Sequence, residues 1–314
     1  MLNLAAIVGP TGVGKSRIAV GVGQFLDIEV ISCDSMQIYR GLDVGTAKIA
    51  ESEMMGIPHH MIDICDPDQP FSVSDYQKIV IPLVKEINER GKIPVLVGGT
   101  GLYYQVVVDD YQLYPIKAAP EVRRALNEEA ELRGNQFLHQ RLSSLDPQAA
   151  AKISPNDRKR IIRALEVIQV TGRPFSALQK RNPGRYHLAV AGISMPRALL
   201  YEHLDRRVDS MLERGLLEEV QGLLARGYGP GLNSMQALGY AQIISYLQGY
   251  LSWEETIAQI KRDTRRYAKR QLTWFRKDHR INWWELSKPT DEEVLIYEIY
   301  EYFRRTLIDD CRIG

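Results

Sequence analysis

The chain has 314 residues, 45% of them hydrophobic and 25% charged, with 40 Lys and Arg against 39 Asp and Glu. This length fits one large domain or a core with an insertion, and the composition excludes a chain dominated by disorder. A net charge of +1 excludes a general polycation, so any nucleic-acid contact must rest on local positive charge.

Cys33, Cys65 and Cys311 lie far apart without C-x-x-C spacing, which points away from a zinc site or disulfide framework and toward a reducing cytosol. No run of about eighteen apolar residues suggests a membrane span. The segment MLNLAAIVGP lacks a basic region and a small-residue cleavage site, so it reads as a first strand and the protein as cytoplasmic.

In chain order, residues 4–8 (LAAIV) predict a buried parallel strand, Gly9 to Gly14 a turn, and Ser16 to about Phe25 a helix. Residues 28–32 (IEVIS) predict a second strand ending at Cys33, Asp34 and Ser35, followed by a loop-rich stretch. Ser72 and Asp75 form a capping-box pattern for a helix to about Arg90 that contains Pro82. Residues 93–97 (IPVLV) predict a strand that again ends in glycine. Between about 113 and 183 helical patterns prevail, punctuated by Pro115, Pro120, Pro147, Pro155, Pro174 and Pro183. A strand over 187–194, helices near 197–226 and 252–278, a strand at 281–286 and a last helix near 291–308 follow. The expected architecture is α/β: a P-loop-type parallel sheet core over 1–112 and 186–314, with a mostly helical insertion over 113–185.

Gly9, Pro10, Thr11, Gly12, Val13, Gly14, Lys15 and Ser16 match G-x-x-x-x-G-K-S/T between a strand and a helix. Glycines let backbone N–H groups curl round phosphate oxygens, the helix start adds partial positive charge, Lys15 adds a full one, and Ser16 can ligate Mg²⁺. The motif specifies phosphate or pyrophosphate, not ATP. Nucleotide-hydrolysing relatives of this loop also hold Mg²⁺ through an acidic residue at a strand end. The 93–97 strand ends in Gly98, Gly99 and Thr100, without one. Asp34 does end a strand, as a metal ligand, a general base or a cap of its own turn. His59 and His60 are adjacent and point apart on an extended chain, so they read as structural.

Over 252–278, Ile257, Ile260, Thr264, Ala268, Leu272 and Phe275 recur at helical spacing as a core face. Lys261, Arg262, Arg265, Arg266, Lys269, Arg270, Arg276 and Lys277 crowd the rest, with Tyr267 and Trp274 interleaved. This reads as a local phosphate-backbone footprint, and Arg158, Lys159, Arg160 and Arg163 form a second one.

These segments resemble the bacterial tRNA dimethylallyltransferases (tRNA isopentenyltransferases). The resemblance is carried by GPTGVGKS at 9–16, ISCDSMQIYRGLDVGTAK at 31–48, PHHMID at 58–63, VGGTGLYY at 97–104, NDRKRIIRALEV at 156–167, RVDSMLERGLLEEV at 207–220, SMQALGYAQI at 234–243 and AKRQLTWFRK at 268–277, in one order over nearly the whole chain. The animal and fungal members carry a C-terminal zinc-finger extension that is not found here, which points to the bacterial form.

The resemblance implies alkylation of N6 of the adenosine 3′ of the tRNA anticodon by dimethylallyl diphosphate, with release of pyrophosphate. Mg²⁺ is the implied cofactor, with Ser16 as its protein ligand. The implied catalytic residues are Asp34, as proton acceptor, with Thr11 and Arg207 at the pyrophosphate. The implied contacts to the tRNA anticodon stem-loop are Asp34, Ser35, Met36, Gln37, Thr100, Arg123, Lys159, Arg160, Ile161, Ile162 and Arg163, and the loop Gln236–Ala241, where this chain lacks basic residues found in some members. A monomer with no membrane association is expected. A small-molecule kinase on the same core and a noncatalytic RNA-binding module are the rival readings.

Overall fold

Six parallel strands make one sheet in the order β3-β2-β4-β1-β5-β6. They are β1 (Leu2–Val8), β2 (Ile28–Ser32), β3 (His59–His60), β4 (Ile93–Gly98), β5 (Tyr186–Ser194) and β6 (Ile281–Glu285). The computed structural model describes residues 1–112, 119–178, 181–288 and 291–309, so Pro115, Cys311 and the start of the expected insertion at 113 lie outside the described residues. The chain divides into two units, Met1–Val108 with Gly184–Gly314, and Asp109–Pro183.

In the first unit the inner strands β1 and β4 are continuous apolar runs because both sheet faces are covered there, whereas the edge strands β3 and β6 are partly exposed. Leu4 to Val8 are wholly buried. One core joins the sheet to α1 (Lys15–Val22) and α12 (Glu292–Arg304), through Ile18, Val22, Leu295, Ile299 and Phe303 among others. A second core gathers Ile38, Tyr39 and Leu42 of the loop after β2 with Val208 of α8 (Arg197–Glu213), Val220 of α9 (Leu216–Ala225), Ile243 of α10 (Tyr240–Leu247) and Ile260 of α11 (Trp253–Phe275). Helix α2 (Val73–Glu89) starts at the Ser72–Asp75 capping box and runs through Pro82. Helix α3 (Gly101–Val108) follows β4 directly.

The second unit holds α4 (Pro120–Arg133), α5 (Asn135–Leu145), α6 (Pro147–Lys152) and α7 (Arg158–Thr171), with no strand among its described residues. Its core is Leu126, Leu138, Leu142, Ile161, Ile162 and Leu165 with smaller neighbours. Pro120 and Pro147 sit in the first turns of their helices, where the missing N–H has no partner to lose.

Several expectations need correction. The helix near 197–226 is two helices, broken at Gly215 in the left-handed conformation. The helix after the glycine-rich loop ends at Val22, short of Phe25. His59 and His60 form a short strand against β2, with Val30 opposite His59. The loop expected at 236–241 is shorter: Ser234–Gln236 is a 3-10 turn and Tyr240–Leu247 is already helical.

The carboxyl ends of β2 and β4 approach so closely that a Cβ on Gly98 would lie 2.2 Å from the Cys33 carbonyl oxygen. That contact is backbone against backbone and no rotamer change relieves it. Gly98→Ala is therefore expected to cost about 2 kcal/mol or more. The urea midpoint of the variant checks this, and an unchanged midpoint would contradict the close approach.

Candidate active site

A cleft of about 630 Å³ opens at the carboxyl ends of β1, β2 and β4, lined by residues of the first unit alone. The glycine-rich loop forms one wall. Gly12 (φ 87°) and Gly14 (φ 79°) take left-handed backbone that a side chain would strain. Helix α1 then starts at Lys15 with no side-chain cap and no acidic residue in its first turn. Its first N–H groups and positive dipole end therefore stay open to an anion. Lys15 is half-buried, and its Nζ donates to the Pro10 carbonyl at 2.6 Å. Burial first, and the Arg207 guanidinium second, pull its ammonium down to about 8, against the opposite pull of Asp34 and Cys33.

Asp34, at the end of β2, lines the same cleft. Its Oδ1 accepts from the Met36 and Gln37 amides at 2.9 and 3.4 Å, so it does cap its own turn. Its Oδ2 has no hydrogen-bond partner among the described residues. Next to it, burial pushes the Cys33 thiol up to about 12, which keeps that side chain neutral and out of nucleophilic chemistry. Thr100 does not line the cleft. Its Oγ1 accepts from the Ser35 amide at 3.2 Å and its side chain bonds Tyr267, so it fixes the turn that carries Asp34.

Helix α8 and its C-cap supply three cations. Arg206, Arg207 and Arg214 line the cleft, with the His203 imidazole among them. Arg207 is half-buried, and burial lowers its guanidinium's pKa while Asp34 raises it. Only Arg207 was expected from the sequence. Arg214 lies seven residues on, two helical turns along the same face, and that spacing was the available signal.

The fourth wall is the loop from Asp43 to Lys48. Glu219 of α9 holds it by accepting from the Asp43, Val44 and Gly45 amides at 3.0, 2.7 and 3.2 Å. Glu219 also accepts from the Tyr240 hydroxyl at 2.5 Å. Lys48, although cationic and beside the cleft, is consumed by ion pairs to Asp43 and Asp63 and by the Tyr39 carbonyl. Gln37 fastens the loop's inner edge, donating to the Thr46 carbonyl at 3.3 Å.

The other residues singled out in the sequence lie elsewhere. In the helical unit, the fully buried Glu166 accepts from Arg123 at 2.9 Å, Arg163 at 2.9 Å and the Ala119 amide at 3.2 Å. Burial pushes its carboxyl up, but those hydrogen bonds outweigh that and hold it below its ordinary value. Lys159 and Arg160 are exposed on the same helix. Ile161 and Ile162 are core residues of that unit, so their side chains pack the helix and do not reach outward. His60 and His59 are structural: His60 bonds Glu29 at 2.7 Å and His59 its Ile57 carbonyl neighbour at 2.8 Å.

The basic helix α11 is less one-signed than its sequence. Lys261 pairs with Asp209 at 2.6 Å and Arg265 with Asp205 at 2.5 Å, both on α8. Asp263 lies 3.7 Å from Arg262 and 3.5 Å from Arg266, both exposed, and toward the helix end Arg266, Lys269, Arg270 and Lys277 surround a shallow groove of about 390 Å³ with Thr273 and Trp274. The buried face includes Thr256 and Gln271, which the apolar spacing passed over, while Ile257 is only half-buried.

A family model described as IPP transferase matches residues 37–278. A tRNA dimethylallyltransferase of Syntrophomonas wolfei is 50% identical over 299 residues, covering 95% of this chain and 96% of that protein. The structure of a tRNA isopentenylpyrophosphate transferase from Bacillus halodurans is 44% identical, covers 100% of this chain and 99% of its own, and matches with a TM-score of 0.76. That of a eukaryotic dimethylallyltransferase acting on tRNA is 28% identical, covers 95% and 78%, and reaches 0.77.

Lys15 gives the cleft a pH signature. Its folded pKa lies near 8, below its ordinary 10.5, so most of its charge is kept at neutral pH and is lost as pH rises through about 8. A bound polyanion pulls that pKa back up, so binding above neutrality should draw a proton onto Lys15. Calorimetry of pyrophosphate binding in buffers of different ionisation enthalpy is expected to show, near about pH 8.5, more proton uptake for the wild type than for Lys15→Met. Equal uptake by the two would place the titration elsewhere.

Proposed function

The chain belongs to the IPP transferase family, and from that premise we infer that it transfers a dimethylallyl group from dimethylallyl diphosphate to N6 of the adenosine 3′ of the anticodon in tRNA, releasing pyrophosphate. The observation that carries this reading is the pairing, in one cleft, of an anion-binding loop and cation-rich helix with a carboxylate opposite them. Charge develops in two places during the transfer, and the cleft has a group for each. The bond from the allylic carbon to the diphosphate oxygen breaks as the N6–carbon bond forms. Pyrophosphate gains negative charge, which the loop and α1 amides, Lys15 and Arg207 stabilise, with Thr11 beside them. N6 gains positive charge and gives up a proton, which Asp34 accepts. An exocyclic adenine amine is a weak nucleophile, so an acceptor already fixed by its own turn is of direct use.

Mg²⁺ fits the leaving-group side. No cluster of three or more His, Cys, Asp or Glu suited to a metal exists among the described residues. A hard cation held by Ser16 and by diphosphate oxygens needs no such cluster, and Ser16 lines the cleft. When bound, it would neutralise charge on the diphosphate.

The adenosine must leave the anticodon-loop stack to reach a cleft at strand ends, as base-modifying enzymes generally require. Asp34, Ser35, Met36 and Gln37 are the residues proposed to meet it. Arg123, Lys159, Arg160 and Arg163 of the helical unit are proposed contacts to the anticodon stem-loop, the last with its neighbour Arg123 preset by Glu166. The exposed half of α11 is proposed to follow the phosphate backbone, its Trp274 and cations supplying stacking and charge. The protein's tRNA substrate makes the cytoplasm the proposed place of action; no described helix is long and apolar enough to cross a membrane.

The test is to combine the protein with Mg²⁺, dimethylallyl diphosphate and unmodified tRNA bearing adenosine 3′ of the anticodon, then weigh the digested nucleosides. The expected result is a gain of one dimethylallyl group on that adenosine. No gain, together with ATP turnover lacking any RNA requirement, would favour a kinase. In the same assay Asp34→Ala is expected to lower turnover by about 10² or more while sparing tRNA affinity. Equal losses of binding and turnover would remove the base role. Replacing Lys269, Arg270 and Lys277 with Ala together should weaken tRNA binding and flatten its dependence on salt, by about one power per lost phosphate contact. An unchanged salt slope would take α11 out of the interface.

A further inference from the structure

We propose that Gln271 is a positioning residue that fixes the distance between the leaving-group loop and the turn bearing the proton acceptor; the proposal rests on the prenyl-transfer reading above. Gln271 lies on the buried face of α11, 6% exposed, between the apolar Ala268 and Phe275. A buried amide needs partners for both ends, and here each end takes a different strand terminus. Its Oε1 accepts from the Thr11 amide at 2.9 Å, and its Nε2 donates to the Gly99 carbonyl at 2.9 Å. Gly99 makes room for this contact: a Cβ there would lie 2.1 Å from Nε2 and 3.3 Å from the Gly9 carbonyl oxygen.

The two bonded segments lead to the two halves of the reaction. On one side Thr11 begins the part of the loop that lines the cleft beside Lys15. With its N–H turned toward Gln271, the backbone of Thr11 has one orientation. On the other side Gly99 precedes Thr100, whose N–H donates to the Cys33 carbonyl at 3.0 Å and whose Oγ1 accepts from the Ser35 amide at 3.2 Å. These bonds grip the chain immediately before and after Asp34. A hydrogen-bonded path thus runs from Thr11 through Gln271, Gly99 and Thr100 to the residues flanking Asp34. An apolar side chain could fill the same volume, but it could not hold both backbones by directional bonds. Displacement at an allylic carbon needs the leaving oxygen and the incoming amine at a set separation, and a misplacement of about 1 Å can cost 10²-fold in rate.

Two variants test this, Gln271→Met, which keeps the volume, and Gln271→Glu, which keeps an acceptor for Thr11. For each, kcat, the KM for dimethylallyl diphosphate, the Kd for tRNA and the thermal midpoint are measured. Gln271→Met is expected to lose about 30-fold or more in kcat with tRNA affinity within about 2-fold of wild type. Gln271→Glu should match it at pH 8, where a carboxylate faces the Gly99 carbonyl. Protonated, the same group can donate to Gly99 and accept from Thr11, so its kcat relative to wild type is expected to rise about 5-fold or more between pH 8 and pH 6. A Gln271→Met variant within about 3-fold of wild-type kcat overturns the clamp, as do parallel losses of kcat, tRNA affinity and thermal midpoint, which mark a purely structural role. If Gln271→Met does not fold, the pH response of Gln271→Glu decides alone, and a flat ratio overturns the proposal. Wild-type protein without prenyl transfer removes the functional reading and this proposal with it, whereas an active wild type beside an equally active variant overturns the clamp only.

Discussion

The close approach of parallel strand ends governs the catalytic unit. A Cβ on Gly98 would strike the Cys33 carbonyl, and one on Gly9 would lie 2.3 Å from the Ile193 carbonyl oxygen. Backbones this near bring the exits of β1, β2, β4 and β5 to one edge of the sheet, where an open α/β sheet offers its ligand crevice. The glycine-rich loop leaves from the first, Asp34 from the second, Gly99 and Thr100 from the third, and the chain into α8 from the fourth. Residues separated by up to 260 positions, such as Thr11 and Gln271, then meet at hydrogen-bond distance.

Around that edge the electrostatics are divided by side. Lys15, Arg206, Arg207 and Arg214 face the cleft from the loop and α8, while Asp34 faces it from β2. Lys15 and Arg207 are half-withdrawn from water, unlike the exposed Arg206 and Arg214, and interact more strongly with a developing anion because less solvent screens them. The same withdrawal lowers the pKa of both Lys15 and Arg207. Acidic side chains nearby serve the scaffold: Glu219 takes three loop amides, and Asp205 and Asp209 hold α11 to α8.

The sheet core was readable because buried strands are short apolar runs, two of which, β1 and β4, end at a glycine, and the loop at Gly9 to Ser16 states its chemistry in its spacing. Helix α3 was not read as a helix. Tyr103, Tyr104, Val106, Val107 and Val108 are all buried, so the segment lacks the polar face that marks helical period. The site was legible where a residue type has one use, as at Lys15, and illegible where a polar residue turns inward. Gln271 and Glu219 look like surface helix residues until the backbone amides they serve are placed beside them. The charge of α11 was overread for the same reason: Asp205 and Asp209, about fifty to sixty positions upstream of their partners, cancel Arg265 and Lys261 only through packing. In the helical unit, Ile161 and Ile162 sit within a basic run in sequence but anchor its helix from inside.

The Pro10 carbonyl takes one of the three N–H donors of the Lys15 ammonium and so aims the others before any ligand arrives. A charged phosphate oxygen gains short charge-assisted bonds from those donors, whereas a hydroxyl or an ester carbonyl gains little more there than water offers. The loop therefore filters by charge rather than by shape. Prenols, prenyl esters and other uncharged isoprenoids that match the donor's hydrocarbon would find no advantage there, however well their tails fit.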